Sequence, residues 1–153
     1  MAYGGATQIY YGVGCTLNGA RGFNVAVVDP ATGALMGPVM NFDTYSANPI
    51  TGEPWLTMIN YLNSVPTGAL IMIAVGDDAG LTPNILQSCA RRSGAWLEQG
   101  LQTLEALGST QIRGYCFRDS WAMATVKGEG RARSEQLGKG GASASAQSTL
   151  SLP

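Results

Sequence analysis

Charge is scarce in this sequence, and where it gathers it sits beside apolar runs. Asp77 and Asp78 directly follow ALIMIAV at 69–75, and Arg118-Asp119-Ser120-Trp121 places a forked donor, a carboxylate, a hydroxyl and an indole in succession. Paired carboxylates suggest hydrolysis of a glycosidic bond, which needs two carboxyl groups facing one bond at about 5 to 9.5 Å. Neighbours in extended chain point to opposite sides, so Asp77 and Asp78 do not suit that chemistry alone. A turn closed by Asx hydrogen bonds, or contact with a ligand or cation, are the other readings of the pair. Arg with Asp and a flat aromatic also holds sugars, because hydroxyls take forked hydrogen bonds while C–H faces pack on rings. The same residues serve equally as an Arg–Asp brace with Trp121 in the core.

Other chemistries are closed off. The chain has no histidine, which removes His-dependent triads, His metal sites and imidazole proton switches. Cys15, Cys89 and Cys116 are odd in number and show no C-x-x-C spacing. They read as buried small hydrophobes, with one disulfide plus a free thiol as the alternative, and no metal is expected. Gly138-Lys139 is followed by Gly140, with Arg133 where a P-loop needs its first glycine, and Gly12-Val13-Gly14 runs on to Leu17 rather than to glycine. No nucleotide or other cofactor is therefore expected. Lys plus Arg is 9 against Asp plus Glu 10, a net charge of -1, which argues against nucleic acid as a partner. Charged residues are 12% of the chain, about half the usual ~25%, so its surface must be built of Gly, Ser, Thr, Asn and Gln. No apolar run is long enough for membrane insertion, and the N-terminus lacks the basic and apolar regions of a Sec signal.

The elements that must position these groups follow from periodicity. The length of 153 residues suits one domain. TQIYY at 7–11 and FNVAVV at 23–28 read as strands, and Asp29 to Gly33 as a turn into an extended stretch broken at Gly37-Pro38. A polar loop runs from Asp43 to about Pro54. Trp55, Leu56, Met58, Ile59 and Leu62 fall at helical spacing. The continuous apolar run at 69–75 predicts a strand buried on both faces at the centre of the sheet. Residues 85–107 predict a helix in two pieces broken at Ser93-Gly94, and 112–117 and 121–126 predict two final strands. The class is α+β. From about Gly128 the composition turns to Gly, Ala, Ser, Gln and Thr without apolar periodicity. Alone such a segment would be disordered, so it reads as an arm that orders on other protein subunits in an oligomer.

In order along the chain, the segments RGFNVAVV from Arg21, Ala31-Thr32-Gly33, Phe42-Asp43-Thr44-Tyr45-Ser46, Ala74-Val75-Gly76-Asp77-Asp78, Leu107-Gly108-Ser109 and Phe117-Arg118-Asp119-Ser120-Trp121-Ala122 up to Lys127-Gly128 resemble the interleukin-like EMT inducer (ILEI, or GG) domain. The resemblance implies a sandwich of two mainly antiparallel sheets flanked by short helices. It also implies no catalysis and, by analogy with a glycosyltransferase stem of this family, a site for β-linked N-acetylglucosamine. The positions carried over are Arg21, Asp77 and Arg118, with Asp78, Asp119 and Trp121 in support. An insertion at about 81–95, bearing Cys89, Arg91 and Arg92, would lie beside Asp77 and wall the pocket.

These readings give an ILEI-like domain at 1–128 and a Gly/Ala/Ser-rich arm at 129–153. The missing Sec signal and a cysteine placement unlike that of the secreted animal members tell against a vertebrate hormone role, and the polar, ion-poor composition with its Ala/Ser/Gly tail resembles a phage or bacterial surface-assembly member. The expected function is a non-enzymatic subunit of a bacteriophage virion, at its tail, baseplate or capsid surface. The alternative is a carbohydrate-binding host-attachment module meeting a surface glycan, and the third reading is a secreted cytokine-like ligand. The expected location is the virion or an extracellular surface.

Overall fold

The structure, a computed structural model, describes residues 20–82, 89–90 and 94–148, and the backbone of 2–3 and 6–7. Its elements are β1 (Ala2–Tyr3), β2 (Ala6–Thr7), β3 (Gly22–Val28), β4 (Met40–Phe42), α1 (Trp55–Ser64), β5 (Leu70–Gly76), α2 (Ala95–Ala106), β6 (Ser120–Val126) and β7 (Ala132–Gly138). Short 3-10 turns lie at Thr44–Ser46 and Ile112–Gly114. β1 and β2 form one antiparallel pair; the other five strands form an antiparallel sheet in the order β4-β3-β5-β6-β7. The α+β class with antiparallel sheets and short helices is thus as the sequence implies, and β5 is central.

Burial explains why β5 carries no polar alternation. One face of the sheet presents Phe23, Val25, Val27, Ile71, Ile73, Val75, Trp121 and Met123 to the apolar stripes of α1 and α2. The opposite face is covered too, since Val28, Leu70 and Val126 form a second buried cluster and Ala26, Ala74, Ala122 and Ala124 are buried beside it. A strand buried on both faces has no position left for a polar side chain. Phe23 meets Trp55 edge-on at 5.4 Å and Trp121 at 6.0 Å between ring centroids. Removing such a ring from water contributes about 2 to 3 kcal/mol. Gly100 lets α2 settle on α1, because a Cβ there would lie 2.3 Å from the Trp55 indole.

Three local expectations differ from the structure. Residues 112–117 form a 3-10 turn and coil instead of a strand, because Ile112 and Tyr115, three apart and both buried, are drawn in by turn bonds from Gly114 N to Gln111 O and from Tyr115 N to Ile112 O. Residues 132–138, inside the stretch expected to be disordered alone, form β7 against β6, so the sheet runs on past Gly128. Pairing with a neighbouring strand, rather than an apolar run of its own, makes this strand. Cys89 and Cys116 form a disulfide, which corrects the reading of both as buried small hydrophobes. Cys15, residues 8–11 of the first predicted strand and most of the predicted helix piece at 85–90 lie outside the described residues.

Candidate functional site

The end of the sheet where β3 begins and β5 finishes is built for close approach. Gly22 pairs with Gly76 in the β3–β5 register. Gly22 has φ +94°, and a Cβ on it would fall 2.0 Å from Phe42 O. Without side chains here, the residues just outside the strands come together: Arg21 before β3, Asp77 after β5, and Arg118 just ahead of β6.

Arg21 is clasped by the loop before α1. Its Nε donates to Asp43 Oδ1 at 2.8 Å, and its Nη2 to Asp43 Oδ2 at 2.6 Å and Ser46 Oγ at 2.8 Å. The guanidinium also lies 4.4 Å over the Tyr45 ring. The hydrogen bond from Arg21 holds the Asp43 carboxyl below its usual range, against the upward push of burial. Asp43 in turn raises Arg21, and the charge of Asp77 adds to the same field.

Asp77 and Arg118 stand in the open. Both have left-handed backbone, φ +54° and +59°, a conformation that non-glycine residues enter only when the surroundings impose it. Arg118 Nε lies 3.7 Å from Asp77 Oδ1, with side chains 63% and 43% exposed. The imposing group is Asp78. It is 1% exposed; Oδ2 accepts from Arg118 N at 2.7 Å and Oδ1 from Gly80 N at 2.5 Å, an Asx-type turn. One buried carboxylate therefore fixes both the β5 exit and the loop carrying Arg118. Ala79 N donates to Tyr115 Oη beneath it, and burial first, then the charge of Asp78, pushes that phenol up.

Asp119 and Trp121 face inward. Asp119, 5% exposed, accepts from Cys116 N at 2.8 Å, Lys139 Nζ at 2.7 Å and Gly140 N at 3.2 Å. Trp121, 1% exposed, donates its Nε1 to Glu135 Oε1 at 2.9 Å. So Arg21, Asp77 and Arg118 are brought to one end of the sheet, Asp78 sits directly below them, and Asp119 and Trp121 hold the loop and core behind. The adjacent acids Asp77 and Asp78 do point apart, one outward and one inward. Sequence reasoning did not assign Asp43, Tyr45 and Ser46 as the clasp on Arg21, although their spacing in the Phe42–Ser46 segment was the available signal. It did not single out Glu135 at all.

Cation sites and membrane spans have no support among the described residues: no group of three His, Cys, Asp or Glu side chains could hold a metal, and no helix is long and apolar enough to cross a membrane. What the corner offers chemically is polar contact. Its exposed guanidinium and carboxylate offer donors and acceptors to a polar ligand, while the second carboxylate is occupied by backbone N–H groups.

The family model described as interleukin-like EMT inducer matches residues 21–129. Human protein FAM3D is 30% identical over 110 residues, which is 72% of this chain and 40% of that protein. Mouse protein FAM3D is 33% identical over 111 residues with the same coverage, and the human cell migration-inducing and hyaluronan-binding protein is 31% identical over 110 residues, 7% of its own length. The chain thus spans well under half of these curated relatives. They are animal proteins, one of them named for inducing cell migration and binding hyaluronan, which leaves the expected phage or bacterial origin without support and overturns the virion tail, baseplate or capsid role. A match running from the arginine just before β3 to the turn after β6 shows that the chain belongs to the interleukin-like EMT inducer family.

Proposed function

We propose that the chain is a non-catalytic extracellular recognition domain that binds a carbohydrate through Arg21, Asp77 and Arg118. The carrying observation is the pair Asp77 and Arg118, held exposed and 3.7 Å apart on left-handed backbone over buried Asp78. Strain of about 1 kcal/mol or more at each position is tolerated where it presents a group to a partner. A forked guanidinium beside a carboxylate matches vicinal hydroxyls and an acetamide, and a relative is named for binding hyaluronan. The disulfide supports an extracellular setting. Of the segment after Gly128, residues 139–148, mostly exposed coil, are the part left to meet another protein subunit.

A second reading, a cytokine-like ligand for a protein receptor, is favoured by the family description. Both are tested by titrating the full chain with hyaluronan oligosaccharides and with an array of N-acetylglucosamine-bearing glycans, with Arg118→Ala alongside. The carbohydrate reading expects saturable binding that weakens at least roughly tenfold in the variant with an unchanged melting temperature. Glycan silence from the folded protein, together with capture of a cell-surface protein that Arg118→Ala abolishes, replaces it with the receptor reading.

A further inference from the structure

The disulfide is asymmetric in its surroundings. Cys89 is exposed, while Cys116 is 7% exposed and sits under the ammonium of Lys139, whose Nζ lies 3.1 Å from Cys116 Sγ. Lys139 is held at that place from both sides. It also donates to Gly114 O and, at 2.7 Å, to Asp119 Oδ2. Asp119 is fixed in turn by the backbone N–H groups of Cys116 and Gly140. The ammonium is therefore built into the loop that ends β7, aimed at one sulfur of the pair and not brought there by a freely moving side chain.

Thiol–disulfide exchange chooses its direction by access to the attacked sulfur and by stabilisation of the sulfur that leaves. Both criteria agree here. We propose that Cys89–Cys116 is an exchange site for small aliphatic thiols, with Cys89 the sulfur attacked and Cys116 the leaving thiolate. The external thiolate forms a new S–S bond to Cys89 Sγ; the Cys89–Cys116 bond breaks, and its electron pair remains on Cys116 Sγ, where Lys139 donates a hydrogen bond to it. The product is a mixed disulfide on Cys89 and a thiolate on Cys116. A second thiolate attacks the outer sulfur of the mixed disulfide, freeing Cys89 and producing the oxidised small-thiol dimer, so two thiols supply the two electrons. The closed form regenerates when Cys116 thiolate attacks Cys89 Sγ in the mixed disulfide and expels the small thiol. None of these steps depends on the carbohydrate reading.

The test uses reduced glutathione on the folded full chain, quenched at short times with acid and then alkylated, with peptide mass spectrometry to place each adduct. The expected result is glutathione on Cys89 and the alkyl label on Cys116 in the same molecules. In Lys139→Met, first-step reduction is expected to slow roughly tenfold, and in Lys139→Arg to stay within about twofold, because the positive donor is kept. In a Cys89→Ser background the pH profile of Cys116 alkylation is expected to move to higher pH when Lys139→Met is added, a readout that a merely structural lysine would not change. Glutathione found on Cys116, or equally on both cysteines, overturns the proposal on the wild-type protein alone. An unchanged rate and pH profile in Lys139→Met removes the leaving-group role.

Discussion

Two carboxylate sites at different places on the sheet handle charge in opposite ways. Glu135 on β7 accepts from Thr110 N at 2.8 Å, Thr110 Oγ1 at 3.0 Å, Gln111 N at 3.2 Å and Trp121 Nε1 at 2.9 Å, and also from Ser109 Oγ. Asp77 has its 3.7 Å partner in Arg118, at a geometry too long for a hydrogen bond, and both side chains lie open to water. Where donors saturate the carboxylate, the group joins elements together. Where left-handed backbone holds a charge outward, the group is left open to solvent. The contrast separates carboxylates that join elements from those left open to solvent better than residue type does, since all of them are ordinary acids.

The largest expected effect comes from removing the saturated site whole. Deleting residues 129–153 takes away β7 and Glu135, and is expected to abolish cooperative unfolding as followed by far-UV circular dichroism. Deletion after Ser148 should leave the transition where it was. A two-state transition in the shorter variant would break the comparison, because Glu135 would then join nothing essential.

Next in size is Glu135→Ala, expected to lower stability by about 3 kcal/mol in urea denaturation, since it leaves the donors of Ser109, Gln111 and Trp121 without their acceptor. Burial pushes the Glu135 carboxyl up, but the hydrogen bonds from Ser109, Thr110, Trp121 and Gln111 outweigh it and hold the group below its ordinary 4.5. A folded-state value below the unfolded one means that the contribution is complete above about pH 4.5 and is lost as pH falls through the folded value. Wild-type stability should drop below that pH, and Glu135→Gln should flatten that part of the curve.

At the presented site the same measurements should move little or in the opposite direction. Arg118→Gly removes the guanidinium and relieves the left-handed backbone, so stability is expected to rise by up to about 1 kcal/mol while ligand binding is lost. Asp77→Gly should behave alike. A clear loss of stability in either would assign these residues to the fold. The smallest effect is expected at Arg21, where the ion pair with Asp43 is more than a third exposed. Arg21→Gln should cost about 0.5 kcal/mol in thermal melting, and the loss should shrink as salt is added.

How much of this could be read from the chain depends on where each signal resides. β5 was legible because burial on both faces writes a continuous apolar run, and α1 because Trp55, Met58, Ile59 and Leu62 lie on one helical stripe. β7 was not. On its covered side lie Ala132, Glu135 and Leu137, with strict alternation broken by the register shift opposite Ala124 and Thr125, and no local pattern announces that the partner of the Glu135 charge lies 14 residues back at Trp121. The corner was legible in composition, since Arg21, Asp77 and Arg118 were singled out, but its geometry was not. The left-handed backbone at Asp77 and Arg118 follows from Asp78 accepting across 40 positions of sequence. The disulfide likewise depends on a fold that brings together two cysteines 27 apart.

The position of β7 in the chain also sets an order of events during synthesis. β3, α1, β5, α2 and β6 all leave the ribosome before Glu135 does. Until it emerges, Trp121 Nε1 and the donors at Ser109 to Gln111 have no carboxylate to meet, and β6 is an unprotected sheet edge of the kind that pairs with strangers. The nascent chain therefore stays open along one side until a polar strand seals it. A delay between the emergence of β6 and that of β7 from the ribosome lengthens this open stage and should show as aggregation of the newborn protein, not as instability of the finished one.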